Sequence, residues 1–145
     1  MAKILSYTIF GFAMVTLCIA YRIAKNGIRK DRIAKLCFLA SIASSWWSFF
    51  FGLMINQTDT NRAAWLRGFG NLGMFALLIC CSYILSAWSK IQGTGKLWIE
   101  SVCWTGILIY PFTVLKTNIH FELTSYGMSY QMKTGLWSYA YNLYC

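Results

Sequence analysis

Four stretches of about twenty mostly apolar residues, each closed by a short polar or basic connection, are the feature that most restricts this fold. The first runs from Ile4 to Ala20 or Tyr21 and gives way to a basic segment. The second runs from Leu36 to Ile55 and stops at the polar turn Asn56-Gln57-Thr58-Asp59-Thr60-Asn61. The third begins near Ala63 and continues to Trp88, and the fourth runs from Leu97 to Leu115. Such runs are apolar on every face, so they need either a deep protein core or lipid. A chain built almost entirely of them has no amphipathic helices left to cover them with a soluble surface. Only 12% of the residues are charged, too few to clothe a soluble domain, which carries roughly 25%.

The expected fold class is therefore all-α: an integral membrane helical bundle of four transmembrane helices plus the start of a fifth. Residues 1–145 form a single membrane domain with helices at about 4–24, 36–55, 63–88 and 97–115. An extracellular segment follows at 117–135, and the start of a further helix at 136–145. The first run is read as a retained helix and not as a signal peptide. Its apolar core exceeds the usual ~7–15 residues, and the basic cluster follows it instead of preceding it.

The net charge of +9 comes from 13 Lys and Arg against 4 acids. Nucleic-acid binding is the ordinary reading of such a balance. Here, however, the positives stand at the ends of apolar runs, which fits membrane topology and excludes nucleic acid as the expected partner. The first connection holds Arg22, Lys25, Arg29, Lys30, Arg32 and Lys35, opposed by Asp31 alone. Cytoplasmic loops carry the excess of Lys and Arg. The expectation is a multi-pass protein of the cell inner (plasma) membrane with its N-terminus outside and loops 22–35 and 89–96 cytoplasmic. The aromatic tail, with Phe121, Tyr126, Tyr130, Trp137, Tyr139 and Tyr141, then lies at the outer interface.

Few residues suggest chemistry. Arg67 and Asn71 stand one helical turn apart at the outer start of the third helix. They read either as the polar wall of an outward-facing pocket or as an interfacial anchor and an interhelical hydrogen bond. Trp46 and Trp47 fall in mid-run, where tryptophan is unusual. Adjacent helical positions point about 100° apart, so the two cannot face one cavity; they read either as simple core packing or as one ring lining a pocket with the other against a helix or lipid. Glu100 reads as an interfacial carboxylate near Lys96. Ala40, Ser41, Ala43, Ser44 and Ser45 on the second run, with Gly70 and Gly73 on the third, permit close helix approach, and Pro111 is expected to kink the fourth helix. The single histidine, His120, and six cysteines without ligand spacing give no zinc site. Gly93-Thr94-Gly95-Lys96 lacks the first glycine and the preceding strand of a phosphate loop. No catalytic residue, metal or cofactor is expected.

Three stretches carry a resemblance. One is the short N-terminus leading straight into a helix and a basic loop. The second is Trp46-Trp47-Ser48-Phe49-Phe50-Phe51-Gly52. The third is Ala64-Trp65-Leu66-Arg67-Gly68-Phe69-Gly70-Asn71-Leu72-Gly73-Met74, where a tryptophan, a basic or polar residue and a residue–glycine pair open the third helix. In these the chain resembles the N-terminal seven-transmembrane region of bacterial sensor histidine kinases and of some diguanylate-cyclase-type signalling proteins, and Gly135-Leu136-Trp137-Ser138-Tyr139 resembles the start of that region's fifth helix. The resemblance implies that the chain stops short of helices five to seven and of a cytoplasmic output module in a two-component system. It also implies a non-catalytic input domain that binds a ligand near the outer face and passes a helix shift inward. Trp47, Trp65, Arg67 and Asn71 are the expected ligand-facing residues. The expected partners are the lipid bilayer, a small-molecule ligand and a second copy joined through helix packing. The alternative is a small structural or accessory membrane protein acting by helix–helix association.

Overall fold

The structure, a computed structural model, describes residues 2–26, 31–88, 93–95, 97–98, 100–101, 104–105 and 119–132. Three helices, α1 (Ala2–Lys25), α2 (Arg32–Ile55) and α3 (Thr60–Trp88), are each long and apolar enough to cross a membrane. They precede a two-stranded hairpin, β1 (Ile119–Thr124) and β2 (Gly127–Met132). The first three expected helices are present, each starting two to four residues earlier than the apolar runs do. The expected fourth span lies largely outside the described residues. Those described within it, 97–98, 100–101 and 104–105, are helical. The expected start of a fifth helix at 136–145, and Pro111, also lie outside. The all-α expectation holds for the spans. The hairpin in segment 117–135 was not foreseen.

Capping chemistry sets the early starts of α2 and α3. Asp31 is extended, with φ −125° and ψ 130°, and its carboxylate accepts the Ile33 N–H at 3.0 Å, which caps α2. Asp59 does the same for α3, accepting the Asn61 N–H at 2.8 Å. Between them, Asn56 and Gln57 close the end of α2 by donating their backbone N–H groups to Leu53 and Met54 carbonyls. This tight turn makes α2 and α3 antiparallel neighbours.

Helix α2 is the central element, with α1 packed against one side and α3 against the other. Its two contact stripes have the same helical spacing. Ser45, Phe49, Gly52 and Asn56 face α1, while Ala43, Trp47, Phe50 and Met54 face α3. The stripes begin two residues apart and so lie nearly opposite one another. A helix used on both sides cannot be amphipathic, which is why its sequence reads as uniformly apolar. Of the apolar windows, 39% of α2 is buried against 22% of α1.

Lipid supplies no hydrophobic force between helices, so their contacts depend on close approach and on polar groups. Glycine provides the approach. A Cβ on Gly73 would lie 2.6 Å from the Ala43 carbonyl oxygen and 2.8 Å from the Trp47 nitrogen. Hydroxyls provide the polar links. Ser6 donates to the Gly52 carbonyl at 3.0 Å and accepts from the Asn56 amide at 2.6 Å. Further down, Ser45 donates to the Ala13 carbonyl at 2.9 Å.

The hairpin packs on the end of the bundle that holds the α2–α3 turn. Phe121 pairs with Tyr130 and Leu123 with Met128, so these four share one face. β2 lies against α2 and β1 against α3. Met128 is buried with Met54, Ile55 and Ala63, and Ala2, Ile9, Phe51, Leu66, Phe121 and Tyr130 surround this cluster. Gly127 permits the seating. Its φ is +111°, and a side chain there would run into the Ile55 carbonyl and approach Ala2 Cβ at 3.2 Å.

Candidate functional site

The polar centre of the molecule lies directly beneath the hairpin. In α3 the stripe Ala63, Arg67, Gly70 and Asn71 faces inward, and all four are buried. Ala63 and Gly70 are small, which leaves room for the long Arg67 side chain between them. Arg67 is 3% exposed, and its guanidinium carbon lies 4.1 Å from the centroid of the Tyr130 ring. A desolvated cation over an aromatic face gains about 2 kcal/mol or more. That offsets part of the cost of burying a charge. Arg67 makes further contacts of its own.

Asn71 sits one turn deeper and is 4% exposed. Its amide nitrogen has no hydrogen-bond partner among the described residues. An unsatisfied buried donor costs about 1–3 kcal/mol. Arg67 and Asn71 therefore place a buried cation and a buried amide one turn apart on one face of α3, with Arg67 against the Tyr130 ring.

The four residues expected to face a ligand divide. Arg67 and Asn71 come together as their spacing implies. Trp65 is 70% exposed and turned outward, stacked on Phe69 at 6.0 Å between centroids. Trp47 is half-buried and stacks on Phe51 at 5.7 Å. Phe51 in turn packs against the cluster under the hairpin, so Trp47 reaches the site through that ring. Trp46 has a separate role. It donates its indole N–H to the Phe69 carbonyl at 2.8 Å and lies against Phe50 at 4.8 Å. That hydrogen bond explains a tryptophan at mid-depth, because its donor is satisfied without water. Glu100 is half-buried in a helical turn and interacts with a neighbouring group.

Sequence reading missed Tyr130 and Met128, which close the site from above. The signal was present in the alternation of His120 and Glu122 with Phe121 and Leu123, followed by Met128-Ser129-Tyr130 after a turn.

Comparison of the chain with protein-family models, with curated proteins and with solved structures finds no match.

Proposed function

We propose that this chain is the non-catalytic input domain of a membrane sensor, one that binds a small acceptor-bearing molecule at Arg67 and Asn71 beneath the hairpin. The observation that carries this reading is the pairing of two buried donor groups, one of them cationic, under a lid that is a separate structural element. The Asn71 amide nitrogen lacks a hydrogen-bond partner among the described residues, and Arg67 sets a positive charge one turn away on the same helix face, so the natural guest is a carboxylate, phosphate or similar oxygen-rich group. Binding shifts a conformational equilibrium only through unequal affinity for two states. The hairpin supplies such states, seated on Ile55 and Ala2 or raised. The basic first connection supports an orientation with the N-terminus and hairpin outside the inner membrane and the α1–α2 connection in the cytoplasm, where an output module would receive the helix shift.

The test is hydrogen exchange of the Gly127–Met132 amides in lipid nanodiscs, with a panel of small carboxylates and phosphates. The reading expects at least one member to slow exchange in the unaltered chain and to lose its effect in Asn71→Leu. A response identical in chain and variant contradicts the site, and a panel without any response contradicts the sensor reading.

The second reading, an accessory protein acting through helix association, is favoured by the open side of α1. That helix packs on α2, and Gly11 has nothing within 4 Å of a Cβ placed there. A Gly11→Cys disulfide between two copies would support it.

A further inference from the structure

At the end of the bundle opposite the hairpin, α1 finishes and α2 begins. Arg22 and Lys25 occupy the last turn of α1, and Arg32 and Lys35 the first turns of α2. All four are exposed, and among the described residues none of them enters an ion pair. The acid nearest in sequence, Asp31, directs its carboxylate to the Ile33 N–H. The first turn of α2 holds no acidic residue, and there the helix dipole opposes the charges of Arg32 and Lys35. The other end differs. It holds a single exposed cation without an ion pair among the described residues, Lys3, while its Arg62 is matched to Asp59 at 3.8 Å and its Arg67 is buried under Tyr130.

Two exposed aromatic side chains stand at the same end of the bundle as the four cations. Tyr21, on the last turns of α1, is 67% exposed, and Trp88, at the last residue of α3, is 79% exposed. α3 runs antiparallel to α2, so its C-terminus lies at this end. Tyrosine and tryptophan exposed at helix ends favour the headgroup layer, where a ring meets lipid and its polar atom meets water.

From this juxtaposition of unpaired cations and an aromatic rim we infer that this end of the bundle is a binding surface for anionic phospholipid headgroups. The phosphate of a phosphatidylglycerol headgroup lies at the depth of Tyr21 and Trp88 and accepts hydrogen bonds from Arg22, Lys25, Arg32 and Lys35. Arginine grips it bidentately, and lysine supplies a point charge on a flexible stem. The surface selects anionic lipid over zwitterionic neighbours by net charge, and each cation contributes about fivefold in affinity. It is independent of the site under the hairpin, and it holds whichever side of the membrane this end faces.

The experiment is native mass spectrometry of the chain released from nanodiscs of mixed phosphatidylcholine and phosphatidylglycerol. The unaltered chain is expected to retain phosphatidylglycerol well above its share of the bilayer, and equal retention of the two lipids would overturn the proposal. The pairs Arg22→Gln with Lys25→Gln, and Arg32→Gln with Lys35→Gln, should each lower that enrichment by an order of magnitude or more, while Arg62→Gln should leave it unchanged. Enrichment that persists in both pairs, or that falls equally in Arg62→Gln, would overturn the proposal. Raising salt from 0.1 M to 1 M shortens the screening length from about 10 Å to about 3 Å and should abolish the preference of the unaltered chain. A preference that survives 1 M salt would contradict the charge-based selection without any substitution. Inorganic phosphate at millimolar concentration should not displace the lipid. Displacement would assign the surface to a free anion instead.

Discussion

Side chains at a few positions decide how closely the helices approach and what they enclose. Gly73 lets the α2 backbone come into direct contact, whereas Gly11 faces open space. Gly73→Ala should therefore destabilise the bundle by about 1–3 kcal/mol, the usual cost of overpacking. Gly11→Ala should be neutral or stabilising by about 0.5–1 kcal/mol. Unfolding of both variants in a detergent titration checks the pair, and equal effects would contradict the close packing. At Arg67 the aromatic face matters more than the hydroxyl. Tyr130→Phe should keep the cation contact, while Tyr130→Leu should lose about 0.5–2 kcal/mol, read in the same titration. The nearness of Arg67 to Asn71 was legible in the sequence because i and i+4 on a helix always share a face. Tyr130 was not legible, because nothing local to Arg67 indicates which distant segment folds over it. Trp65 shows the opposite failure. It stands only two residues from Arg67 in sequence, but two residues along a helix turn it almost to the far side, towards Phe69.

Elements in this molecule are held by a small number of polar links set among small residues. The Ser6 hydroxyl ties the first turns of α1 to the last turns of α2 through Gly52 and Asn56. Interhelical hydrogen bonds in membranes average about 0.6 kcal/mol. Ser6→Ala should lose about that amount, and a double-mutant cycle with Asn56→Ala should show positive coupling. The hairpin depends on Gly127, whose φ of +111° and contact with Ile55 exclude a side chain. Gly127→Val should lift the hairpin, speeding amide exchange across Gly127–Met132 while leaving that of α2 unchanged. Run length alone located α1, α2 and α3, because lipid demands uninterrupted apolar sequence whatever the partner helix. The starts of α2 and α3 came from Asp31 and Asp59, whose capping role a hydropathy pattern does not show. The hairpin escaped because its two-residue alternation is short and its aromatic content resembles an interfacial tail.

Taken whole, the molecule is a bundle with two chemically different ends. One carries the hairpin, the α2–α3 turn and the buried Arg67 and Asn71. The other carries exposed cations with an aromatic rim. A hydrophobic middle formed by three long helices separates them. Each of these helices is long and apolar enough to cross a membrane, and the reading proposed above sets a bilayer between the two ends. The direct measurement is labelling of two single cysteines, Ser125→Cys at the hairpin turn and Asn26→Cys after α1, each in a background with the native cysteines replaced. A membrane-impermeant maleimide is applied to intact cells and then to permeabilised ones. The expected result is labelling of position 125 in intact cells and of position 26 only after permeabilisation. The reverse pattern would keep the spans and invert the orientation. Equal labelling of both positions in intact cells, or of neither until permeabilisation, would contradict the membrane-spanning bundle itself.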